Sequence, residues 1–377
     1  MILNKAYSIA LSWLIIFITS CNSIAKKNIK NRNSMNWGIT KISSETGANS
    51  FDYEFNQYFI QDSLTGYIIG DNSIAEMYRS IIEKRVLKRE NYEAILFKTE
   101  DGGVSFRKRS LGKGSLQKIT SDNEKNLYVI QCNYKTATLP KRYRIMYSRD
   151  LGETWQEMAF PQGKKIETVQ FYNGLKGVVA IEEDGMFKLL KTKDGGKTWE
   201  ELPVKETSLN YYSIQFINEE ALYVYNSIGG FRQTATVNFT TGNVKIHNPN
   251  LPKGYQFSSF IKDDSTGSLY SEVSNYKEDH DLMLYNHQTN ELISYNIENS
   301  SEQYIIDVTV SGEYIGLLRA DKGIVSYYYS RDKGENWIRE KMPERLSESY
   351  AAMYGKGLVW VKSAFNLYNL QVRKMDN

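Results

Sequence analysis

Four short segments of the chain share one residue pattern, and their spacing constrains the fold more than any other feature. They are TEDGGVSF at 99–106, SRDLGETW at 148–155, TKDGGKTW at 192–199 and SRDKGENW at 330–337. Each has Ser or Thr first, Asp third, Gly fifth and an aromatic residue eighth. The starts at 99, 148, 192 and 330 differ by 49, 44 and 138, and the last interval is three times 46. The chain is therefore an array of internal repeats with a period near 46.

A second feature, an apolar run followed by a short turn and another apolar run, recurs seven times. The copies are 59–70, 119–130, 169–180, 214–225, 260–271, 306–317 and 351–362. Each copy predicts two strands, and the octapeptide turn that follows joins two more. Four strands in each unit of about 46 residues are typical of a β-propeller. We therefore predict an all-β fold, a single seven-bladed β-propeller of four-stranded blades over residues 36–377.

The two ends of the array predict how the ring closes. The seventh repeat ends near Val372 with no octapeptide after it, so its outer strand is missing. The segment 35–42 precedes the first repeat, and we predict that this N-terminal strand closes the last blade. The first interval between repeats is also too long, with the surplus at 74–92. Apolar residues there follow helical spacing, which predicts a short helix between the second and third strands of blade 1.

The octapeptide resembles the Asp-box, or BNR, repeat. The chain is similar to seven-bladed propellers of the sortilin type and the photosystem-assembly-factor type, and more distantly to sialidases. The Asp carboxylate is expected to accept hydrogen bonds from backbone N–H groups one or two residues on. The Gly allows a positive φ, and the aromatic ring packs between blades. We interpret these residues as structural: Asp101, Phe106, Asp150, Trp155, Asp194, Trp199, Asp332 and Trp337. Two degenerate copies are expected at 239–243 and 285–291.

The N-terminal residues predict a cellular location. Residues 1–20 contain Lys5 and an apolar run over 9–18, which is typical of a signal peptide and too short to span a bilayer. Ile18-Thr19-Ser20-Cys21 resembles a bacterial lipobox, which implies that Cys21 is acylated and becomes the mature N-terminus. We expect residues 21–35 to form a flexible tether. The expected location is the bacterial cell envelope, lipid-anchored at the outer membrane facing the periplasm, with the cell surface as the alternative.

The arrangement of turns predicts where a partner binds. Loops that join second to third strands, and one blade to the next, lie on the face opposite the octapeptide turns. We expect the ligand surface on that face, with these candidates: Arg142, Glu183, Tyr212, Tyr276, His280 and Arg319. A formal net charge of +3 gives no electrostatic footprint for nucleic acid. We expect a monomer that is bound to a membrane by its lipid and that recognises a protein or glycan.

The sequence gives little support for an enzyme. There is no G-x-S-x-G, H-E-x-x-H or Walker A segment, and the three His stand at 247, 280 and 287. We therefore expect no catalytic residue, no cofactor and no metal site. Sialidases carry an early Phe/Tyr-Arg-Ile-Pro motif, whereas the nearest string here, at 143–146, reads YRIM and lacks the Pro. The favoured function is a non-catalytic binding or assembly scaffold. The alternative is a sialidase-like or glucanase-like glycoside hydrolase acting on envelope or host glycans.

Overall fold

Seven antiparallel sheets arranged in a ring make up the chain in a computed structural model. The structure describes residues 29–32, 37–41, 53–134, 142–161, 164–183, 186–204, 209–226, 233–263, 265–275, 282–295, 297, 303–321, 324–342, 349–363 and 369–374. The innermost strand of each sheet contacts the innermost strands of both neighbours, and the seventh contacts the first. The protein is a seven-bladed β-propeller with four-stranded antiparallel blades, and the predicted fold class is confirmed.

The strands are numbered along the chain, and each blade is given from its innermost to its outermost strand. The N-terminal strands β1 and β2 join the last two blades and are described after them. Blade 1 contains β3 (Glu54–Ile60), β4 (Gly66–Asp71), β5 (Glu93–Thr99) and β6 (Arg107–Lys113). Blade 2 contains β7 (Ser115–Ser121), β8 (Leu127–Asn133), β9 (Arg142–Ser148) and β10 (Gln156–Glu157). Blade 3 contains β11 (Lys165–Phe171), β12 (Gly177–Glu183), β13 (Met186–Thr192) and β14 (Glu200–Leu202). Blade 4 contains β15 (Leu209–Asn218), β16 (Ala221–Asn226), β17 (Gln233–Asn238) and β18 (Val244–His247).

Blade 5 contains β19 (Gln256–Lys262), β20 (Leu269–Ser274), β21 (Leu282–Asn286) and β22 (Glu291–Tyr295). Blade 6 contains β23 (Gln303–Ser311), β24 (Tyr314–Asp321), β25 (Ile324–Ser330) and β26 (Trp337–Lys341). Blade 7 contains β27 (Ser349–Tyr354), β28 (Leu358–Ser363) and β29 (Asn369–Arg373). Between β4 and β5 lie a helix, α1 (Ser73–Ile82), and a 3-10 turn (Arg89–Asn91), within the stretch where the sequence predicts an insertion.

An N-terminal strand supplies the outer edge of blade 7. This strand, β2 (Trp37–Lys41), pairs antiparallel with β29, so that Trp37 lies opposite Arg373 and Lys41 opposite Asn369. An N-terminal segment and the last strand of the chain therefore share one sheet. This is the closure that the incomplete seventh repeat predicts.

A further short strand extends blade 6. β1 (Ile29–Arg32) pairs in parallel with β26, and Ile29 lies opposite Trp337. These four residues belong to the segment 21–35 that we expected to be a flexible tether, and the expectation does not hold for them. The physical reason is that the outer edge of a sheet presents unpaired N–H and C=O groups, which a short extended segment can satisfy whatever its side chains. The signal peptide and Cys21 lie outside the described residues.

Hydrophobic layers between adjacent blades form the core, and the octapeptide aromatics belong to them. Trp337 is fully buried and packs edge-on against Tyr295 of the preceding blade, with ring centroids 6.1 Å apart. Phe106 packs against Trp360 across the junction of blades 1 and 7. Trp155 joins the layer between blades 1 and 2, and Trp199 joins the layer between blades 2 and 3. The predicted packing of these rings between blades is therefore seen in the structure.

The four octapeptide turns share one hydrogen-bond scheme. In the second copy, Asp150 accepts the Thr154 backbone N–H at 2.8 Å and the Thr154 hydroxyl at 2.5 Å. Ser148 Oγ accepts the Gly152 N–H at 2.8 Å and donates to Asp150 at 2.7 Å. The same bonds recur around Asp101, Asp194 and Asp332. The sequence-based expectation placed the N–H partner one or two residues after the Asp; in these bonds it lies four residues after it, because the turn folds back on itself at the Gly.

The degenerate copies keep a turn, which is closed by an Asn amide at the end of the third strand, the position that Ser or Thr holds in the octapeptides. Asn238 Oδ1 accepts the backbone N–H groups of Thr240 and Thr241 at 3.0 and 2.8 Å. Asn286 Oδ1 does the same for Gln288 and Thr289. A side-chain carbonyl at this position is sufficient to close these turns, so both hairpins form although the octapeptide Asp is absent.

Candidate functional site

A cavity of about 660 Å³ lies on the axis of the ring and is lined by residues from all seven innermost strands. The lining residues come from the second halves of these strands and from turns that follow them, such as Gln61, Asp122 and Tyr172. Each innermost strand runs toward its turn with the second strand, and those turns share a face with the octapeptide turns. The cavity therefore lies at the octapeptide end of the channel. The sequence analysis placed the ligand surface at the opposite end.

Bulges in the innermost strands set the polarity of the channel wall. The pairing register shifts between Phe55 and Gln57 in β3, and between Leu116 and Lys118 in β7. An equivalent shift precedes Asp307 in β23. A bulge bends its strand and redirects the side chains next to it. Gln57, Lys118 and Asp307 each follow a bulge directly, and each lines the cavity.

Hydrogen bonds link neighbouring innermost strands around part of the channel. Gln57 Oε1 accepts the Ile119 N–H at 2.8 Å, which ties blade 1 to blade 2. Lys118 Nζ donates to Thr168 Oγ1 at 2.8 Å, which ties blade 2 to blade 3. Thr120 Oγ1 donates to the Val169 carbonyl at 3.2 Å. The wall of the cavity is thus cross-linked by its own polar side chains, and this holds them in place before any ligand arrives.

Two titratable groups in the wall have strongly shifted pKa values. Burial lowers the pKa of Lys118 to about 8, against the opposing charge of Glu167. Burial raises the pKa of Asp307 to about 7; the Val308 N–H opposes this shift and the charge of Glu272 adds to it. Burial also raises the pKa of Glu272, which accepts a hydrogen bond from Ser258 Oγ at 2.8 Å. Burial therefore moves the pKa values of Lys118 and Asp307 toward neutrality from opposite sides.

The rim of the cavity carries cations held by polar partners. Lys262 Nζ of blade 5 donates to Asn123 Oδ1 of blade 2 at 3.4 Å, across the mouth. The Asn123 N–H donates to the Tyr172 carbonyl at 3.2 Å. Lys125 pairs with Asp62 at 3.0 Å. The mouth is therefore bridged by flexible lysine side chains that a ligand could displace or contact.

The structure does not bring the predicted ligand-face residues to this cavity. Arg142 begins β9 and pairs with Glu157 at 2.8 Å, and Glu183 ends β12 and binds Lys188 at 2.9 Å. Both lie at the opposite end of their blades. Tyr212 lies in β15, whereas Tyr276 and His280 are outside the described residues.

Arg319 requires a correction. We predicted it on the ligand face, but it lies within β24 and is only 2% exposed. Its Nη1 donates to the Ile297 carbonyl at 2.6 Å, between blades 5 and 6. The position near a predicted loop is misleading because β24 extends two residues beyond it, to Asp321, and carries Arg319 into the sheet.

The channel residues themselves were missed by the sequence analysis, although a signal was present. A polar residue follows the bulge at the same place in five of the innermost strands: Gln57, Lys118, Thr168, Ser259 and Asp307. Three of these five, Gln57, Lys118 and Asp307, line the cavity. Aligning the repeats on their innermost strands, and not on the octapeptides, would have shown this recurrence. In the part of the chain that the structure describes, no three metal-type side chains converge.

Comparison with known proteins places the chain by its fold. No protein-family model matches it, and no curated protein matches it either. Among solved structures, one described as YCF48 bound to D1 peptide shares 12% identity with a TM-score of 0.56, over 93% of this chain and 98% of that chain. The β-propeller domain of the Trilobed protease from Pyrococcus furiosus shares 10% identity with a TM-score of 0.54, over 87% and 97%.

An enzyme is also similar. An acylaminoacyl peptidase from Pyrococcus horikoshii shares 9% identity with a TM-score of 0.51, over 86% of this chain and 52% of that chain. At such identities the likeness shows the β-propeller fold alone. The fold neighbours thus include a peptide-bound protein and peptidases, so the fold does not separate a binding protein from an enzyme. Every helix among the described residues is too short or too polar to pass through a bilayer.

Proposed function

We propose that this chain is a non-catalytic binding scaffold of the bacterial cell envelope, held to a membrane by a lipid on Cys21. In this proposal the axial cavity binds an extended segment of a protein partner. The lipobox-like Ile18-Thr19-Ser20-Cys21 supports the anchor. The octapeptide turns support membership of the Asp-box propellers, because all four use the same bonds.

The observation that carries the proposal is the polar wall of the axial cavity. Its volume of about 660 Å³ lies within the range of about 300–1,000 Å³ that is usual for ligand sites. Gln57 and Gln215 supply amide groups, and Lys118 supplies a cation, so the wall offers donors and acceptors to a peptide backbone. The structure of YCF48 with its D1 peptide, which shares this fold, supports a peptide as the class of ligand.

Site-specific photo-crosslinking tests this proposal. A photoreactive amino acid at Gln215 would lie inside the cavity. One at Val104, whose side chain is 53% exposed, would lie on an octapeptide turn. In cells that make the full chain, we expect a defined protein adduct from position 215 and none from position 104. Equal adducts at both positions, or none at 215, would refute binding in the channel.

A glycoside hydrolase is the second candidate, and one observation favours it. Asp307 lies on the innermost strand of blade 6 and Glu272 on the second strand of blade 5, the charge of Glu272 acts on Asp307, and both carboxyl groups have raised pKa values. A glycosidase needs an acid that stays protonated near neutral pH, together with a second carboxyl group nearby. Hydrolysis of sialyl or β-glucan reporters that is lost in Asp307→Asn and Glu272→Gln would establish this function. If the unsubstituted protein hydrolyses these reporters no faster than the two variants do, glycosidase activity is excluded for those substrates.

A further inference from the structure

Helix α1 has its polar and apolar faces reversed with respect to the protein. The residues it buries are Ser73, Ala75, Glu76 and Ser80, of which three are polar or charged. A helix on the surface of a soluble protein normally turns its apolar stripe to the core. Here the apolar stripe faces outward. The reversal means that this stripe has no covering element among the described residues.

The outward face continues past the helix and forms one apolar cluster. Its members, with their exposed fractions, are Met77 41%, Tyr78 48%, Ile81 65%, Ile82 78%, Val86 80% and Leu87 38%. These six are half of the twelve large apolar side chains that are exposed in the described chain. Single exposed apolar residues are ordinary, but a contiguous cluster marks an interaction surface.

Polar contacts on the inner side hold the helix in this orientation. Glu76 is 4% exposed and pairs with Arg79 at 2.7 Å and with Arg85 at 3.0 Å. Ser73 Oγ donates to Glu54 Oε2 of β3 at 2.9 Å. The side chain of Asn72 accepts the Glu93 N–H at 2.7 Å. Rolling the helix inward would break the bonds of Ser73 and Asn72 to β3 and β5 and would expose Glu76, so the apolar face stays outward.

Cations alternate with the apolar cluster along the sequence. Lys84, Lys88 and Arg89 are exposed, and Lys84 adopts a positive φ of 48° where the helix ends. The segment 73–92 holds five basic residues and three acidic ones, which gives a net charge of +2. Aliphatic side chains bordered by Lys and Arg are the composition of helices that lie in the surface of an anionic bilayer.

We infer that residues 77–89 dock the propeller onto an anionic lipid surface. The apolar cluster enters the boundary between headgroups and acyl chains, and Lys84, Lys88 and Arg89 contact lipid phosphates. The inference goes beyond the proposed function, from which it takes only the lipid anchor: a tethered domain meets the bilayer at high effective concentration, so a weak docking surface is sufficient.

Fluorescence in vesicles tests this docking with the full chain. An environment-sensitive fluorophore at Ile82→Cys reports on the cluster, and one at Leu175→Cys, where the native side chain is 57% exposed in a blade 3 turn, is the matched control. The unsubstituted chain gives the background labelling of its own cysteines. In vesicles of phosphatidylethanolamine and phosphatidylglycerol that contain nitroxide lipid, we expect a blue shift and quenching at position 82 only. High salt or phosphatidylcholine should weaken the signal.

Two outcomes would overturn the inference. One is a label at position 82 that stays as exposed to water as the label at 175. The other is a blue shift that appears without vesicles and grows with protein concentration, which would assign the cluster to a second copy of the chain. Ile81→Ser/Ile82→Ser should reduce the anionic-vesicle signal from a label at Val86→Cys by about tenfold, and Leu64→Ser/Leu175→Ser should not. Crosslinking from Gln215 should persist in both variants, which separates failure of docking from failure of the proposed function.

Discussion

Arg373 and Glu340 form an ion pair that is closed off from solvent at the junction of the last two blades. Arg373 Nε lies 2.8 Å from Glu340 Oε2, and the two side chains are 0% and 2% exposed. Trp37 of the closing strand donates its indole N–H to the same carboxylate at 3.1 Å. The guanidinium also lies over the rings of Tyr327 and Tyr329, 5.0 and 4.9 Å from their centroids. The Glu340 carboxylate of β26 therefore binds side chains of both β2 and β29.

Breaking this pair should destabilise the whole propeller. Arg373→Met leaves the Glu340 carboxylate buried without its partner, and we expect a loss of about 3–5 kcal/mol in the free energy of unfolding. Urea unfolding measures it. Lys333→Met is the control, because Lys333 and Glu313 are 4.0 Å apart and 70% and 72% exposed. That variant should lose about 1 kcal/mol or less. Equal losses in the two variants would contradict a stabilising role for the buried pair.

Octapeptide carboxylates should stabilise the fold in a pH-dependent way. Hydrogen bonds from the Thr154 hydroxyl and N–H and from Ser148 lower the pKa of Asp150 to about 2. The carboxylate therefore stabilises the protein above its ordinary pKa of 3.8, and this contribution is lost as the pH falls toward 2. Asp150→Ala should lower stability at pH 7, on the order of 1 kcal/mol for an exposed turn. Thermal unfolding across pH should show the difference shrinking below pH 4.

A matched amide variant separates charge from shape at that turn. Asn238 and Asn286 already close the two degenerate turns. Asp150→Asn should therefore be milder than Asp150→Ala at pH 7. An amide variant as unstable as the alanine variant would show that the charge, and not the acceptor atom, is what the turn requires.

Asp307 should destabilise the folded protein at high pH. Burial raises its pKa to about 7, so folding favours the protonated acid. Stability from this group is complete below pH 3.8 and is lost as the pH rises through 7. Asp307→Asn should raise the melting temperature at pH 8 and leave it nearly unchanged at pH 4. The expected gain in the free energy of unfolding at pH 8 is on the order of 1–3 kcal/mol. If the difference in melting temperature between variant and parent is the same at pH 4 and pH 8, folding does not disfavour ionisation of Asp307.

Cys21 should determine where the protein is found. If this thiol is acylated, Cys21→Ser removes the anchor, and the chain should move from the membrane fraction to the soluble fraction or remain unprocessed. Fractionation and the intact mass of the N-terminal peptide measure this. Cys132→Ser is the control, since Cys132 is 1% exposed in β8 and cannot serve as an acylation site in the folded protein. An unmodified Cys21 in the mature protein would contradict the anchor.

The sequence predicted the parts of the fold that depend on local chemistry. Turn residues recur with every blade, so their period determines the number of blades and shows that one strand is missing from the last. Strand runs rich in apolar and aromatic residues are buried: Cys132 and Tyr327–Tyr329 are at most 2% exposed. These features depend on alternation and turns, which a single sequence displays.

Other features depend on contacts between distant segments and were not predicted. Pairing of β1 with β26 joins backbone groups about 300 residues apart, and side-chain pattern does not encode it. The reversed burial of α1 arises because Ser73 has a partner on β3 and Glu76 pairs with Arg85, in the segment that follows the helix. The polar wall of the cavity was not predicted, because the bulges next to Lys118 and Asp307 depend on strand register and not on composition.

The closing strand β2 also imposes an order on biosynthesis. Trp37 must wait for Glu340, which is synthesised 303 residues later, before either can be shielded from water. Contacts over such separations slow folding, because a long loop must close before they form. The ring can therefore close only when nearly the whole polypeptide has been synthesised, so a ribosome-bound chain that lacks its last blade keeps Glu340 without its final partners.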